Sequence, residues 1–376
     1  MKKILFVIPE YSHGGTNKSL ENLIHFIDKN KYEIHIYCLY EDGGTLYKRI
    51  FAPYVLSKSW LYILAHDNRV TRKIMGCLMK IFHDITFQWL YKYEANRLQN
   101  KYKFDTVIAF QEGVSTFFVA AIKQVKNKIA WIHCDYLNRV SSMNNDMSEY
   151  ALYSSFRHIV SVSETAVNSF CKVFPTLSDR TTCIFNTIDA DYILNKSIIF
   201  EDMEYSSSSF NILSVGRFVK IKQFHLIPKI VSELIKITKR NFCWYIIGDG
   251  EDKDIVAKTI ESLKLDKYIK LLGSKDNPYP YFKNADLHVC LSKSESFSYT
   301  MAESKILHVP VLCNDIPVAK EVVSEDVGWI SHINEMPQVL RAIIEDANGI
   351  YSNVQRSIAT YSYDNERIIQ KLYKIL

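Results

Sequence analysis

Short apolar runs alternate with stretches of helical periodicity along most of the 376-residue chain. In the first half, apolar runs predict strands at 3–9, 33–40, 104–111 and 128–135. The stretch 158–170 predicts a strand, a turn and a helix, with Ser163 as a good N-cap. This order of strand, loop, helix and strand is typical of a doubly wound sheet, in which ligands bind at the carboxyl ends of the strands.

The same alternation starts again after a polar interruption. Residues 195–209 are rich in serine and lack periodicity, which predicts an interdomain linker. Beyond it, strands are predicted at 210–216, 242–248, 268–273 and 285–292, with helices at 226–239 and 252–264. We therefore expect a first domain at 1–195 and a second domain at 210–361. The tail from Met336 predicts two helices, the last at 365–376.

The stretch 291–311 is the most informative part of the second domain. A buried strand is followed by a turn of small residues, a helix that begins near Tyr299, and Pro310 after the helix. Glu295 lies in the turn and Glu303 about one turn into the helix, with seven residues between them, so both can face one crevice. Ser298 is the predicted N-cap, and the unpaired N–H groups at a helix start suit a phosphate. Two acids at this spacing are, taken alone, more often a loop cap and a solvated helix residue.

Two cations follow the strand that opens the second domain. The strand ends at Gly216, and Arg217 and Lys222 come directly after it. Arginine offers a planar fork to phosphate oxygens and lysine offers a point charge. Isolated cations of this kind are usually surface charges, but here they stand at the ligand-binding edge of a predicted parallel sheet.

Glycines and one histidine follow other predicted strands. Gly14 and Gly15 come after the first strand, and Gly248 and Gly250 come after the strand at 242–248. Both glycine pairs also fit ordinary turns. His133 stands at the end of the strand at 128–135, where it is either a structural histidine or a group that faces a ligand.

These motifs resemble the signatures of retaining glycosyltransferases of family 4, the group 1 glycosyltransferases. Their E-x7-E signature is matched in register, although three of its glycines are replaced here by Ser296, Ser298 and His308. A second signature, G-R-x-x-x-x-K-G, is matched by Arg217 and Lys222, with Gln223 in place of the last glycine. The residues that match E-x7-E are Ser292, Glu295, Phe297, Glu303, Pro310 and Val311.

The resemblance implies the GT-B fold: an α/β protein of two Rossmann-like doubly wound parallel-sheet domains facing a cleft. Residues of about 362–376 would then pack back on the first, acceptor-binding domain, and the second domain would bind the nucleotide sugar. The implied reaction is retaining, metal-independent transfer of a sugar to a glycan or lipid-linked acceptor, in bacterial capsule, exopolysaccharide or lipopolysaccharide biosynthesis. The donor would be UDP- or GDP-linked, with no further cofactor.

The resemblance also implies roles for individual residues. Arg217 and Lys222 would hold the donor diphosphate, and Glu295 would orient the hydroxyls of the transferred sugar. Glu303 would bind the ribose, and His133 would face the transferred sugar or the acceptor. The remaining expected contacts to donor or acceptor come from Gly14, Gly15, Gly216, Gly248, Gly250, Ser296, Phe297 and Ser298.

Composition narrows the picture further. A hydrophobic content of 48% and a charged content of 23% are those of a globular protein. The net charge of +5 is mild, so it does not demand nucleic acid, but it suits anionic substrates or an anionic membrane surface. The eight cysteines occur singly, which indicates reduced, core-packed thiols and makes a zinc site improbable. The apolar run before Pro9 is too short for a signal peptide. The sequence contains no stretch of about 18 apolar residues, the length that a membrane-spanning helix needs. We therefore expect a cytoplasmic protein.

Residues 60–103 mix tryptophan, tyrosine and phenylalanine with many lysines and arginines. This composition is typical of a basic amphipathic surface that contacts the inner face of a membrane. It fits equally well a pair of helices that pack on the first sheet and leave their lysines in solvent. Many relatives extend lipid-linked glycans, which keeps the membrane alternative open.

Two other classes of protein compete with a transferase. A non-catalytic scaffold or activator of a partner glycosyltransferase fits the replaced glycines, whereas the retained Arg217, Lys222, Glu295 and Glu303 argue against it. An NAD-dependent oxidoreductase would need G-x-G-x-x-G after the first strand. The chain has G-G-T-N-K-S there, so that fingerprint is absent.

Overall fold

The computed structural model describes residues 1–10, 14–39, 54, 56, 85–140, 146–199, 205–206 and 208–376. The chain divides into two compact units. The first comprises Met1–Ile188 and Asp364–Leu376, and the second comprises Asp189–Tyr363. Residues 60–84, the larger part of the predicted basic aromatic segment, lie outside the described residues.

The first unit is built on a six-stranded parallel sheet in the order β2-β1-β3-β4-β5-β6. Its strands are β1 (Lys2–Ile8), β2 (Tyr32–Cys38), β3 (Thr106–Ala109), β4 (Asn127–Ile132), β5 (His158–Ser161) and β6 (Thr181–Cys183). Its described helices are α1 (Gly15–Phe26), α2 (Ile85–Tyr102), α3 (Val114–Ala121), α4 (Tyr136–Val140), α5 (Asp146–Tyr153), α6 (Glu164–Val173) and the C-terminal Asn365–Tyr373. A 3-10 turn, Pro175–Arg180, precedes β6.

Burial explains why these segments are strands. Residues 4–8 of β1 are all fully buried, because the strand lies inside the sheet and both of its faces are covered. A strand in that position needs a continuous apolar run, which is what the sequence has there. Ser163 caps α6 as predicted, since its side chain accepts the N–H of Ala166 at 3.1 Å.

The C-terminal helix is tied to the first unit by polar contacts at both of its ends. The side-chain amide of Asn365 donates to the Ile188 carbonyl at 2.7 Å and accepts the Ile188 N–H at 2.9 Å. At the other end, the Tyr373 hydroxyl accepts the Asp28 N–H at 2.8 Å, and its ring stacks on Tyr32. The helix therefore completes the first unit although it is the last element of the chain.

The second unit has a parallel sheet in the order β12-β11-β10-β7-β8-β9. Its strands are β7 (Phe210–Val215), β8 (Phe242–Ile247), β9 (Ile269–Gly273), β10 (Leu287–Cys290), β11 (Val311–Asn314) and β12 (Gly328–Ser331). Its helices are α7 (Ala190–Ser197), α8 (Ile227–Ile237), α9 (Lys253–Ser262), α10 (Tyr279–Lys283), α11 (Tyr299–Ile306), α12 (Ala319–Val322), α13 (Met336–Ile344) and α14 (Ile350–Ile358), so that Asn365–Tyr373 becomes α15. Short 3-10 turns lie at Lys220–Lys222, Phe224–Leu226, Ile333–Glu335 and Ala347–Gly349.

The strand order locates a switch point in each sheet. In the second unit the chain runs outward from β7 through β8 to β9, then returns to β10 on the other side of β7. In the first unit the corresponding change of direction falls between β1 and β3. Ligands of open α/β sheets bind outside the carboxyl ends of the strands at such points.

Three predictions about the chain's organisation are corrected. Residues 189–195 were assigned to the first domain but belong to the second unit, because α7 packs on α10 and α11 there. The predicted linker therefore begins with a helix, which runs to Ser197. The tail after Met336 contains α13, α14 and α15 rather than two helices. Asp346, Asn348 and Gly349, all with positive φ, break the pattern between α13 and α14.

The helix α2 packs on the first unit by one face. Ala95 and Leu98 are buried in the core cluster, and the buried carboxylate of Glu94 accepts the Tyr37 hydroxyl at 2.8 Å. The opposite face carries Trp89 and Tyr93, which are 64% and 54% exposed. No helix in the described part of the chain is long and apolar enough to cross a membrane.

Candidate functional site

A lysine and a glutamate meet where β7 and β10 lie side by side. The Lys222 Nζ is 2.5 Å from the Glu295 Oε1, and the Ser292 hydroxyl donates to that same oxygen at 2.7 Å. The two charged side chains are only 25% and 12% exposed. The pair is therefore less screened by solvent than an ordinary surface ion pair. It stands at the switch point of the second sheet.

The loop after β7 brings its cations to the same place. A Cβ on Gly216 would lie 3.8 Å from the Cδ and Cε of Lys222, so the lysine chain crosses directly over this glycine. The Ile221 carbonyl accepts the Lys293 N–H at 2.8 Å, which ties the loop after β7 to the loop after β10. Arg217 is exposed and forms no ion pair with any acidic residue of the described chain. Its guanidinium is thus available to an anion.

Gly248 and Gly250 are required by the approach of two loops. Both have left-handed backbone, with φ of 144° and 150°. A Cβ on Gly248 would lie 1.8 Å from the Gly216 carbonyl oxygen, and one on Gly250 would lie 2.6 Å from the Phe218 carbonyl oxygen. No side chain fits at such distances. These glycines hold the turn after β8 against the loop that carries Arg217.

The turn before α11 differs from its prediction in one detail. Ser298 is the N-cap residue, but its side chain accepts no N–H of the helix. Its backbone is left-handed, at φ 63°, and its hydroxyl faces that of Thr300 at 3.4 Å. Phe297 is buried and its ring packs edge-on against Tyr299, while Ser296 is half-buried. The first N–H groups of α11 therefore lack the cap expected from the serine.

Two further positions share this left-handed backbone. Gln223 has φ 55° and His308 has φ 59°. Together with Ser298 they stand where the resembled signatures have glycine, the residue that adopts this region without steric cost. At His308 the reason is a helix end: the Val309 N–H bonds the Ser304 carbonyl and the His308 N–H bonds the Lys305 carbonyl. These two bonds form a Schellman motif.

Glu303 is buried inside the second unit rather than solvated. It is 3% exposed, and the Tyr279 hydroxyl lies 3.4 Å from its Oε1. Tyr279 lies on α10, which follows β9, whereas Glu303 lies on α11, which follows β10. Burial of this kind demands partners for the carboxylate. It excludes the interpretation of Glu303 as a solvated helix residue.

His133 lies in the first unit, directly after β4. Its backbone N–H donates to the Glu112 Oε2 at 3.0 Å, and its ring packs on Phe110 with centroids 4.9 Å apart. Burial lowers the pKa of the His133 imidazole to about 4, although the negative charge of Glu112 opposes this. The histidine is consequently neutral at pH 7.

Gly14 and Gly15 lie at the start of α1. Gly14 is the N-cap residue with extended backbone, at φ −174° and ψ 167°, which any residue can adopt. A Cβ there would meet nothing within 4 Å. The internal packing of the described chain thus does not require a glycine at this position.

The structure therefore brings together, in the second unit, Gly216, Lys222, Gly248, Gly250 and Glu295, with Arg217 on the same loop. Gly14, Gly15 and His133 stand at the carboxyl edge of the first unit. Sequence reasoning missed Glu112 and Tyr279, because a lone glutamate after a strand and a tyrosine in a short helix have no pattern of their own. Among the described residues, no group of histidine, cysteine, aspartate and glutamate could hold a metal ion.

Comparison with solved structures defines the class of fold. The crystal structure of Anabaena Alr3699/HepE in complex with UDP and glucose matches with a TM-score of 0.74 at 16% identity, and the match covers 100% of this chain and 99% of that one. Two Rossmann-like parallel sheets of this kind constitute the GT-B fold.

The family follows from the sequence. The model for glycosyl transferases group 1 matches residues 196–348, and the model for Glycosyltransferase Family 4 matches residues 13–192. The chain belongs to the group 1, or family 4, glycosyltransferases.

Two curated relatives have names that describe their roles. One is the N-acetylgalactosamine-N,N'-diacetylbacillosaminyl-diphospho-undecaprenol 4-alpha-N-acetylgalactosaminyltransferase of Campylobacter jejuni, 27% identical over 64% of this chain and 65% of its own length. The other is the amylovoran biosynthesis glycosyltransferase AmsD of Erwinia amylovora, 19% identical over 88% of this chain and 86% of its own length. The match to the Campylobacter protein thus spans just under two thirds of that relative.

Proposed function

We propose that this protein transfers a sugar, with retention of anomeric configuration, from a UDP- or GDP-linked donor to a glycan or lipid-linked acceptor in bacterial surface polysaccharide assembly. The observation that carries the proposal is the cluster of Lys222, Glu295 and Ser292 at the switch point of the second sheet, with Arg217 beside it. The relatives named above support the substrate class, since one acts on a diphospho-undecaprenol and the other serves amylovoran biosynthesis.

The proposed chemistry is electrostatic. Transfer breaks the bond between the anomeric carbon and the diphosphate, so negative charge grows on the phosphate oxygens while the sugar gains oxocarbenium character. Arg217 and Lys222 stabilise that charge, and the backbone N–H groups and dipole at the start of α11 add to the effect. The departing phosphate takes the proton of the acceptor hydroxyl. A fixed pair of cations supplies the stabilisation that a metal ion gives in other transferases, so we propose a metal-independent reaction without a further cofactor.

The two acids have separate tasks in this scheme. Glu295, which is held by Lys222 and Ser292, orients hydroxyls of the transferred sugar, and Glu303 binds the ribose. When the donor binds, Lys222 exchanges its contact with Glu295 for a phosphate oxygen, and the carboxylate, still held by Ser292, becomes available to the sugar. His133 faces the transferred sugar or the acceptor from the first unit, whose carboxyl edge also carries Gly14 and Gly15. The segment 296–298 and the glycines at 216, 248 and 250 line the nucleotide site.

Calorimetric titration with UDP and with GDP tests the proposal directly. A donor-dependent transferase binds one of the two nucleotides, whereas a scaffold binds neither. Screening UDP- and GDP-sugars for slow hydrolysis then identifies the donor, and proton NMR of the product reports its anomeric configuration. Absence of both nucleotide binding and donor turnover, or an inverted product, would contradict the proposal. Activity that EDTA abolishes would contradict the metal-independent part alone.

We further propose that the segment 60–103 contacts the inner face of the membrane peripherally. The support comes from the exposed face of α2, where the Trp89 and Tyr93 rings stack with centroids 6.0 Å apart. Lys92 and Lys101 are exposed on the same helix, and aromatic rings beside lysines suit a lipid interface. Flotation with phosphatidylglycerol vesicles should recover the protein in a salt-sensitive manner. Equal recovery of a Trp89→Ser/Tyr93→Ser variant, or binding to neutral vesicles alone, would refute the contact.

A further inference from the structure

The turn that carries Glu295 is held from both neighbouring strands. The strand β10 lies between β7 and β11, and all three are parallel, so their carboxyl ends lie together. On the β7 side, the Lys293 N–H donates to the Ile221 carbonyl at 2.8 Å. On the β11 side, the Asn314 side-chain amide donates to the Ser292 carbonyl at 3.1 Å. Residues 292 and 293 are thereby fixed directly beyond the end of β10.

The Asn314 amide acts where the pairing of the two backbones stops. The register of β10 with β11 ends at Cys290 and Cys313. Ser292 follows that end and is only 1% exposed, so its carbonyl needs a donor from the protein. Among the described residues, the bond from Asn314 is the one that this carbonyl accepts. The asparagine side chain therefore fixes the main chain of Ser292.

Ser292 in turn determines which oxygen of Glu295 is left over. The Ser292 hydroxyl at 2.7 Å and the Lys222 Nζ at 2.5 Å both bind Oε1, and no described residue donates to Oε2. The Cys290 thiol donates to the Ser292 hydroxyl oxygen at 3.5 Å, which leaves the serine proton for the glutamate. Oε2 is consequently the oxygen that the carboxylate offers to a ligand.

Donor binding removes one of the two contacts to Oε1. Once the diphosphate takes Lys222, the Ser292 hydroxyl is the remaining donor that sets the direction of the carboxylate. The loop that holds Lys293 also carries Lys222, so the support from the β7 side belongs to the segment that meets the diphosphate. The support from Asn314 comes from β11 and lies outside that segment.

We propose that Asn314 is a positioning residue for the transfer reaction: by binding the Ser292 carbonyl it keeps the Ser292 hydroxyl on Glu295 Oε1, which leaves Oε2 to accept a hydroxyl of the transferred sugar. The inference rests on the proposed function for its kinetic consequence and on the contacts alone for its structural one. It assigns Asn314 no contact with the donor.

Two substitutions separate the hydrogen bond from the packing of the side chain. Asn314→Ala removes the amide, whereas Asn314→Asp keeps its shape and places an oxygen against the Ser292 carbonyl. Asn284→Ala is the matched control, because the exposed Asn284 amide also donates to a backbone carbonyl, that of Pro280 at 2.8 Å. Asn284 precedes β10 and therefore lies at the opposite edge of the sheet.

Both Asn314 variants should lower kcat by about two- to tenfold, the range for losing one neutral hydrogen bond. Calorimetry should show UDP or GDP affinity within about twofold of the wild type, because the phosphate contacts are untouched. In a Glu295→Ala background, Asn314→Ala should have no further effect on kcat, since no carboxylate is left to direct. The Asn284→Ala control should keep its kcat. Unchanged kcat in Asn314→Asp, or an equal loss in the Glu295→Ala background, overturns the proposal.

Crystal structures decide the structural half without any turnover. Lys222→Ala imitates the state in which the lysine has left Glu295, and Oε1 should stay on the Ser292 hydroxyl there. In Lys222→Ala/Asn314→Ala that contact should be lost. A glutamate that leaves Ser292 in the single variant, or stays on it in the double variant, contradicts the proposal. If the wild type binds neither nucleotide and turns over no donor, the proposed function fails, while these two structures still decide the role of Asn314.

Discussion

Gln223, Ser298 and His308 have left-handed backbone without being glycine. For an ordinary L-residue this conformation costs on the order of 1–2 kcal/mol, which the surrounding structure must offset. At His308 the Schellman bonds and the burial of Val309 supply that compensation. The family signatures have glycine at these positions, so the chain keeps the backbone shape while changing the residue.

The strain at His308 leads to a stability prediction. His308→Gly should raise the free energy of unfolding by about 1 kcal/mol, because glycine adopts the left-handed region freely. Urea denaturation monitored by circular dichroism measures the change. Lys264→Gly should behave alike, since Lys264 also has positive φ, at 55°, just beyond the end of α9. By contrast, Lys258→Gly, in the exposed interior of α9, should lose about 1 kcal/mol, and a gain there would contradict the explanation.

The ion pair at the switch point predicts the effect of removing its cation. Lys222→Ala should lower kcat by about a hundred- to a thousandfold, the range for losing one preorganised group that stabilises transition-state charge. Steady-state kinetics with the identified donor measure it. Lys220→Ala, an exposed lysine of the same loop, is the control and should retain activity. Unchanged kcat and donor affinity in a folded Lys222→Ala variant would rule out the assigned role.

Lys305 predicts how stability depends on pH. This lysine on α11 is 7% exposed, its Nζ donates to the Val322 carbonyl at 2.6 Å, and burial lowers its pKa to about 8. The unfolded chain has a lysine pKa near 10.4, so it binds more protons than the folded chain between the two values. The lysine therefore destabilises the fold below pH 8, by about 3 kcal/mol, and this penalty fades as pH rises toward 10.

Lys305→Met tests this expectation, because the substitution keeps the length of the side chain and removes the charge. Its stability advantage over the wild type should fall by about 2 kcal/mol between pH 7 and pH 10. Urea unfolding of both proteins at the two pH values gives the difference, in which titrations elsewhere in the chain cancel. A constant difference would show that Lys305 does not titrate in this window.

At the scale of elements, the strand–turn–helix unit around Glu295 was predicted almost to its residues. The apolar run, the small-residue turn and Pro310 are local signals, and the structure has β10, α11 and β11 there. The histidine site was predicted only in part. Its strand followed from the sequence, whereas the contact of the His133 backbone N–H with Glu112 joins residues 21 positions apart, which no local pattern indicates.

The docking of α15 is the element-scale feature most open to a direct test. The Asn365 amide forms two hydrogen bonds with the Ile188 backbone at the point where the two units meet in sequence. Asn365→Ala leaves both backbone groups without these partners, so we expect about 1–3 kcal/mol less stability in the first unit. Limited proteolysis with mass spectrometry should show faster cleavage near 360–376. Asn353→Ala, an exposed change on α14, should leave the cleavage pattern unaltered.

At the scale of the whole molecule, the first unit is assembled from both ends of the chain. The expected phosphate contacts, by contrast, come from continuous chain between residues 189 and 363. Removing residues 364–376 should therefore destabilise the first unit. The affinity for UDP or GDP should stay within about twofold, or about 0.4 kcal/mol of binding free energy, because the phosphate contacts lie in the second unit. Thermal unfolding and calorimetry on the truncated chain measure the two effects separately. Loss of nucleotide affinity with an unchanged melting temperature would contradict this division of tasks.

The sequence by itself determined where most of the strands and helices lie and which residue types stand at strand ends, because apolar periodicity, small-residue turns and prolines act over a few positions. Only the tertiary structure decided which strands are neighbours, and therefore that Lys222 meets Glu295 across 73 residues of chain. It also decided that Glu303 is buried, that Gly248 has no room for a side chain, and that His133 Nε2 is buried without a hydrogen-bond partner among the described residues. The physical reason is that these properties depend on distances between segments that are remote in sequence. Long crossovers between parallel strands set those distances, and local residue patterns do not encode them.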